Sequence, residues 1–76
     1  MLPSIASILR YHRKAKKLTQ KEVSEKTGIS LVSLSKYETG RSLPSVSNLH
    51  KLSEVIDFNY DEVYEILLQE RESKSE

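Results

Sequence analysis

Residues 19–40, TQKEVSEKTGISLVSLSKYETG, contain two helix starts and two helix stops in close succession. Thr19 is followed three residues on by Glu22, the capping-box spacing in which each side chain takes the other residue's exposed backbone N–H. A helix begins there, turns Val23 inward and closes at Gly28, which adopts a left-handed conformation without steric cost. Ser30 is a favoured N-cap for the next helix, and its apolar residues Leu34 and Tyr37 stand three apart on one face. Gly40 ends that helix. The turn between the two is very short.

Helical signals continue on both sides of this stretch. Toward the N-terminus, Ile5, Ile8, Leu9 and His12 follow the i, i+3, i+4, i+7 pattern of an amphipathic helix that starts at Pro3 or Ser4 and ends near Lys17. Toward the C-terminus, Arg41 to Pro44 form a loop. Ser45 then caps a fourth helix with Val46, Leu49, Leu52, Val55 and Ile56 facing inward. Asp57 and Phe58 interrupt the pattern. Asn59 with Glu62 caps a fifth helix, whose apolar side is Tyr60, Val63, Tyr64, Ile66 and Leu67. No segment alternates apolar and polar residues as a half-buried strand does. The expectation is an all-α domain of five helices over residues 1–69, followed by a charged tail from Glu70 to Glu76 that frays. No repeat, linker or second domain is expected within these residues.

Composition narrows the function. A chain of 76 residues builds one small core, near the size at which oligomerisation adds needed stability, and has no room for a large enclosed active site. The absence of Cys excludes disulfides and thiolate metal sites and points to a reducing compartment, the cytoplasm. No apolar run approaches the roughly 20 residues of a membrane span. The first 21 residues hold Arg10, Arg13, Lys14, Lys16, Lys17 and Lys21 but no acid, a composition shared with organelle-targeting segments. In a secretory signal, however, the charges precede the apolar residues, and here they follow them.

The net charge of +1 conceals a division along the chain. Residues 1–41 hold nine Lys/Arg and three Asp/Glu, a balance of +6, whereas residues 42–76 hold three Lys/Arg and eight Asp/Glu, a balance of −5. A basic half suits phosphates, and an acidic half turned away limits indiscriminate sticking.

Two helices joined at Gly28 by a turn of about three residues form a helix-turn-helix, in which the first helix crosses a nucleic-acid backbone and the second lies in the groove. Val23, Leu34 and Tyr37 lock the pair onto the core, and Ser24 is small enough for close approach of the helices. The opposite side of the third helix carries Leu31, Val32, Ser35 and Lys36. A major groove admits one α-helix and displays guanine acceptors and thymine methyls. Lys36 suits guanine O6 or N7, Leu31 and Val32 suit thymine methyls, and Ser35 either donates or accepts. The plainer alternative makes Leu31 and Val32 part of a wide core stripe and Lys36 a solvated charge.

The run from Leu18 to Phe58, LTQKEVSEKTGISLVSLSKYETGRSLPSVSNLHKLSEVIDF, resembles the Cro and phage-repressor (XRE-like) type of helix-turn-helix regulator. The resemblance covers about residues 5–67 and rests on Thr19-Gln20, Gly28, Ser30, Glu38, Gly40, Pro44-Ser45 and their spacing, with Arg13 where the family places an arginine late in helix one. It implies a five-helix, lambda-repressor-like domain of bacterial, phage or plasmid origin that binds a palindromic operator as a homodimer and regulates transcription, usually as a repressor, without a cofactor. It also implies residue roles. Gln20, flanked by Thr19 and Lys21 at the start of helix two, corresponds to a phosphate contact, where backbone N–H groups and the helix dipole add attraction. Positions 31, 32 and 36 correspond to base readers, with 35 nearby. Arg41, Ser42 and Leu43 lie in the loop that approaches phosphates largely through main-chain N–H groups. Arg13 and Glu38 correspond to an internal ion pair. This chain departs from the family where Lys17 and Asp57 replace helix-end glycines, where Ser24 replaces alanine, and where Leu31 and Val32 replace polar or basic readers.

Other functions find less support. His12 and His50 are the only histidines, and no Ser/His/Asp arrangement or phosphate-cradling glycine loop accompanies them, so the chain is not expected to be an enzyme. His12 falls on the inner side of helix one and reads as a packed or bridging residue. Asp57, Asp61, Glu62 and Glu65 read as a solvated face and not a calcium loop. The competing class is a protein-interaction module on the same fold, in a toxin-neutralising or regulator-inhibiting role toward an unknown protein partner. For a homodimer, Tyr60, Val63, Tyr64, Ile66 and Leu67 of helix five are the candidate surface, because they exceed what one side of a short helix needs for its own core. The alternative places all five inside the monomer.

Overall fold

The computed structural model describes residues 4–74. Pro3, expected with Ser4 at the start of the first helix, lies outside the described residues, as do Ser75 and Glu76 of the expected tail. Among the described residues there are five helices and no strand: α1 (Ile5–Ala15), α2 (Gln20–Thr27), α3 (Leu31–Glu38), α4 (Val46–Ile56) and α5 (Tyr60–Lys74).

Each helix start is set by a short polar side chain that satisfies a backbone donor left over by the helix. Ser4, Ser30 and Ser45 accept from the N–H groups of Ser7, Ser33 and Asn48, and Asn59 Oδ1 accepts from Glu62 N at 3.0 Å. At α2 the capping box is complete: Glu22 N donates to Thr19 Oγ1 at 3.1 Å and Thr19 N donates to Glu22 Oε1 at 2.9 Å. The Thr19 backbone N–H, foremost, and the Thr19 hydroxyl hold the Glu22 carboxyl below its ordinary value of 4.5. A lowered acid pKa contributes stability that is present above the ordinary value and is lost as pH falls through the lowered one. Acidification from neutrality into that range is therefore expected to release the Thr19 amide. The protection factor of the Thr19 amide, its exchange corrected for the intrinsic pH dependence, should fall on protonation while protection in α4 is kept, and an unchanged Thr19 protection factor would refute this.

The helix ends depend on left-handed residues. Gly28 (φ 78°) and Gly40 (φ 77°) occupy that region, and so do Lys17 (φ 60°) and Asp57 (φ 62°), the two positions where the family pattern has glycine. Helix α1 stops at Ala15 with Lys16 as its C-cap, slightly before the expected end. After Lys17, the Leu18 N–H reaches back to Arg13 O at 3.2 Å, the six-to-one bond of a Schellman close. A non-glycine residue held left-handed costs about 1 to 2 kcal/mol, which the packing on either side offsets.

One core joins the helices. Ile5 and Leu9 of α1, Val23 of α2, Leu34 and Tyr37 of α3, Leu49, Leu52 and Ile56 of α4, and Val63 and Leu67 of α5 are buried together. Two connecting residues belong to it as well: Ile29 fills the turn before α3, and Phe58, expected only to interrupt the chain, packs inward. His12 is half-buried, with its ring 6.0 Å from Phe58. Each fully buried aliphatic or aromatic side chain contributes about 1.5 to 3 kcal/mol. Helix α1 packs on α3, α4 and α5, α2 packs on α3 and α4, and α4 packs on α5.

Two expectations about faces change. Val46, expected to face inward, is exposed, because as the first residue of α4 it lies beyond the reach of the neighbouring helices. Val63 and Leu67 are inside the core, at 5% and 0% exposure, and so cannot form part of a dimer surface. The segment expected as a tail is helical in its described part, α5 running on through Glu70 to Lys74. Its extra turns are tied down: Glu70 accepts the Ile5 N–H on both carboxylate oxygens at 3.3 Å, and Arg71 Nη2 donates to Pro44 O at 2.8 Å. Glu70 thereby puts a carboxylate at the N-terminus of α1, the favourable end of the helix dipole.

Candidate nucleic-acid interface

The turn between α2 and α3 is built by side chains whose partners are local. Gly28 N donates to Ser24 O at 2.9 Å, and Thr27 Oγ1 donates to Val23 O and accepts from Ile29 N. The Ser24 hydroxyl donates to Ile29 O at 2.6 Å. Ser24 thus does more than leave space: its hydroxyl satisfies a carbonyl inside the corner, which alanine at this position could not do.

Helix α3 is held from its inner side. Glu38 is 5% exposed and its carboxylate is fully used: Arg13 Nε donates to Oε2 at 2.7 Å, Arg13 Nη2 to Oε1 at 2.9 Å, and Gln20 Nε2 to Oε1 at 3.1 Å. The two guanidinium bonds form the bidentate fork that fits a carboxylate best. Arg13 Nη1 also donates to Leu18 O at 2.8 Å, and the Glu38 carboxylate raises the Arg13 pKa still further. Arg10 Nη1 donates to the Glu38 carbonyl oxygen at the end of α3. On charge alone both arginines would be assigned to phosphate, yet both are bound to α3. The Tyr37 hydroxyl accepts from Asn48 Nδ2 at 2.9 Å, fixing α3 to α4.

With its inner side fixed, α3 presents the rest to solvent. Leu31 is 46% and Val32 66% exposed, and Ser35 and Lys36 are exposed beside them. These four line an open groove of about 490 Å³ together with Gln20, Thr39 and Arg41. Leu31 and Val32 are therefore not part of the core stripe.

The structure distributes the remaining candidates differently. Thr19 and Lys21 are exposed at the start of α2 but do not line the groove. Gln20 lines it, with one amide N–H already given to Glu38. In the loop after α3, the Arg41 and Ser42 N–H groups donate to Lys36 O at 3.0 and 3.3 Å, closing α3 around left-handed Gly40. The expected main-chain contact to phosphate is therefore corrected for these two amides, which the helix end uses. Arg41 retains an exposed side chain in the groove, Ser42 is half-buried, and the Leu43 side chain packs against the core. Thr39 is a groove residue that sequence reading missed. Its register is visible in hindsight, since 32, 36 and 39 follow the i, i+4, i+7 spacing of one face.

Among the described residues no group of three His, Asp or Glu stands close enough to hold a metal ion, and no helix is long and apolar enough to cross a membrane.

Comparison with known proteins places this geometry. The helix-turn-helix family model matches residues 9–63, from the middle of α1 through the first turn of α5. The chain is 40% identical over 55 residues to the cryptic phage CTXphi transcriptional repressor RstR of Vibrio cholerae serotype O1, a match covering 72% of this chain and 49% of that protein. The chain thus spans about half the length of this curated relative. No solved structure matches. The family match, the relative and the five-helix structure together show that the chain belongs to the Cro and phage-repressor (XRE-like) type of helix-turn-helix transcriptional regulators.

Proposed function

We propose that this protein is a repressor that binds double-stranded DNA by inserting α3 into the major groove, and that it acts as a homodimer on a palindromic operator. The supporting observation is the division of α3: its inner face is held by Leu34, Tyr37 and the Arg13–Glu38 pair, while Leu31, Val32, Ser35 and Lys36 remain free on a groove edge. The similarity to a phage transcriptional repressor supports the regulatory role.

In this reading Lys36 donates to guanine, Ser35 to a neighbouring base edge, and Leu31 and Val32 pack on methyl groups. Thr19, Gln20 and Lys21 at the start of α2 face one phosphate strand, and the Arg41 side chain, with the Ser42–Leu43 segment behind it, faces another. Selection of bound duplexes from a random pool tests the proposal. A palindrome should emerge with half-sites about 34 Å apart, and affinity should fall steeply with salt. Lys36→Ala should cost about 1 to 3 kcal/mol and relax preference at one base pair, whereas Gln20→Ala should weaken all duplexes alike. A uniform loss in Lys36→Ala would reassign Lys36 to phosphate.

For the homodimer, the burial of Val63 and Leu67 moves the proposed surface to Tyr60, Tyr64 and Leu68, spaced i, i+4 and i+8 on α5. Tyr60 and Tyr64 stack at 5.7 Å and His50 meets Tyr60 edge-on at 5.5 Å, so these rings form one continuous surface. Ile66 is half-buried against the core and contributes at most its margin.

A second reading, a protein-interaction module, draws on the exposed apolar Leu31 and Val32. Salt-insensitive capture of a protein partner, with no duplex recovered from the pool, would establish it instead.

A further inference from the structure

Leu31 and Val32 are the two large apolar side chains of α3 that the fold does not use: Leu34 is 2% and Tyr37 8% exposed, against 46% and 66% for this pair. Apolar surface left in water contributes nothing to folding, and here it stands beside Lys36 and Arg41 in one groove. Accepting the DNA-binding reading above, we propose that this pair reads the C5 methyl group of a pyrimidine whether the ring is thymine or 5-methylcytosine, so that cytosine methylation inside the operator strengthens binding.

The argument rests on what these side chains can and cannot distinguish. Thymine presents a C5 methyl and an O4 acceptor in the major groove, and cytosine presents an N4 donor with no methyl. Methylation at C5 gives cytosine the same methyl in the same place while leaving N4 unchanged. Leu and Val carry neither donor nor acceptor, so they separate C5–CH3 from C5–H but not O4 from N4. Telling thymine from 5-methylcytosine would need a polar neighbour with a fixed role. Ser35 is the adjacent hydroxyl, which rotates to donate or accept and therefore tolerates either atom. Gln20, whose amide could impose the distinction, is anchored by the bond from its Nε2 to the Glu38 carboxylate at 3.1 Å, and its remaining amide groups are given to phosphate in the reading above. Leu31, Val32 and Ser35 thus combine methyl selectivity with indifference to the group at C4, while Lys36 and Arg41, which only donate, are given to guanine and phosphate in the reading above.

The test begins with a duplex recovered by selection. Each thymine of one half-site is replaced in turn by deoxyuridine, which removes only the methyl, and then by 5-methylcytosine paired with guanine; unmodified cytosine paired with guanine serves as reference. Burial of one methyl corresponds to about a fourfold change in affinity. At one or two positions, deoxyuridine should weaken binding about fourfold, and 5-methylcytosine should bind about fourfold more tightly than cytosine. Both effects should vanish in the Leu31→Ala, Val32→Ala double variant. Its melting temperature should match that of the parent, because both residues are exposed. Equal binding of all deoxyuridine duplexes, or methyl effects that persist in the double variant, would overturn the proposal. So would 5-methylcytosine binding no better than cytosine at the methyl-sensitive position. Failure of the selection to recover any duplex is a separate result, which would remove the DNA-binding reading itself.

Discussion

Arg13→Ala is expected to lower stability by about 3 to 5 kcal/mol, the cost of leaving one member of a buried ion pair without its partner. Glu38 is 5% exposed and receives two of its three side-chain bonds from Arg13; after the substitution only Gln20 Nε2 remains on the carboxylate. The Leu18 carbonyl also loses its guanidinium donor. A domain of this length has a total stability of roughly 4 to 11 kcal/mol, so the loss removes at least about a quarter of it and, at the lower end of that range, all of it. Urea denaturation measures the loss. Glu38→Gln, which removes the charge but keeps the shape and an acceptor, should cost less alone, and combined with Arg13→Ala should cost less than the two summed. If Arg13→Ala melts like the parent and loses only DNA affinity, the arginine contacts phosphate and the structural assignment is wrong.

Leu67→Ala is the second large effect, about 2 to 5 kcal/mol, because the side chain is fully buried and its removal leaves a cavity the five helices cannot close. The neighbouring position should behave oppositely. Leu68 is 36% exposed at the end of the Tyr60–Tyr64 stripe, so Leu68→Asp should cost about 1 kcal/mol of monomer stability, well below the cost of Leu67→Ala. It should instead weaken self-association and lower operator affinity. Sedimentation velocity and urea melts on both variants separate the two roles. A loss of stability in Leu68→Asp as large as that in Leu67→Ala, or an unchanged mass at concentrations where the parent dimerises, would remove α5 as the proposed dimer surface.

The contrast between adjacent leucines shows where sequence reading stops. The 3.6-residue period groups Tyr60, Val63, Tyr64, Ile66 and Leu67 on a broad side of α5, but the period is defined relative to the helix axis. Which part of that arc is covered depends on where α1 and α4 lie, and they cover Val63 and Leu67 while leaving Tyr60 and Tyr64 half-exposed. Gln20 illustrates the same limit. Its place at the start of α2 was legible, but the bond from its amide to Glu38 spans 18 residues and two helices.

Features decided within a few residues were legible in the sequence alone. The caps at Thr19, Ser30, Ser45 and Asn59 and the stop at Gly28 follow from hydrogen bonds that close between near neighbours, so residue type and spacing determine them. The helix-turn-helix stretch from Thr19 to Gly40 was legible from these caps and stops, and the five helices from the spacing of their apolar residues as well. Tertiary structure alone decided how shared groups are divided. It assigns Glu70 and Arg71 to the start of α1 and the Pro44 carbonyl, and Leu31 and Val32 to solvent. The physical reason is that a donor or an apolar face has several admissible partners, and only the packing of distant elements determines which of them is within reach.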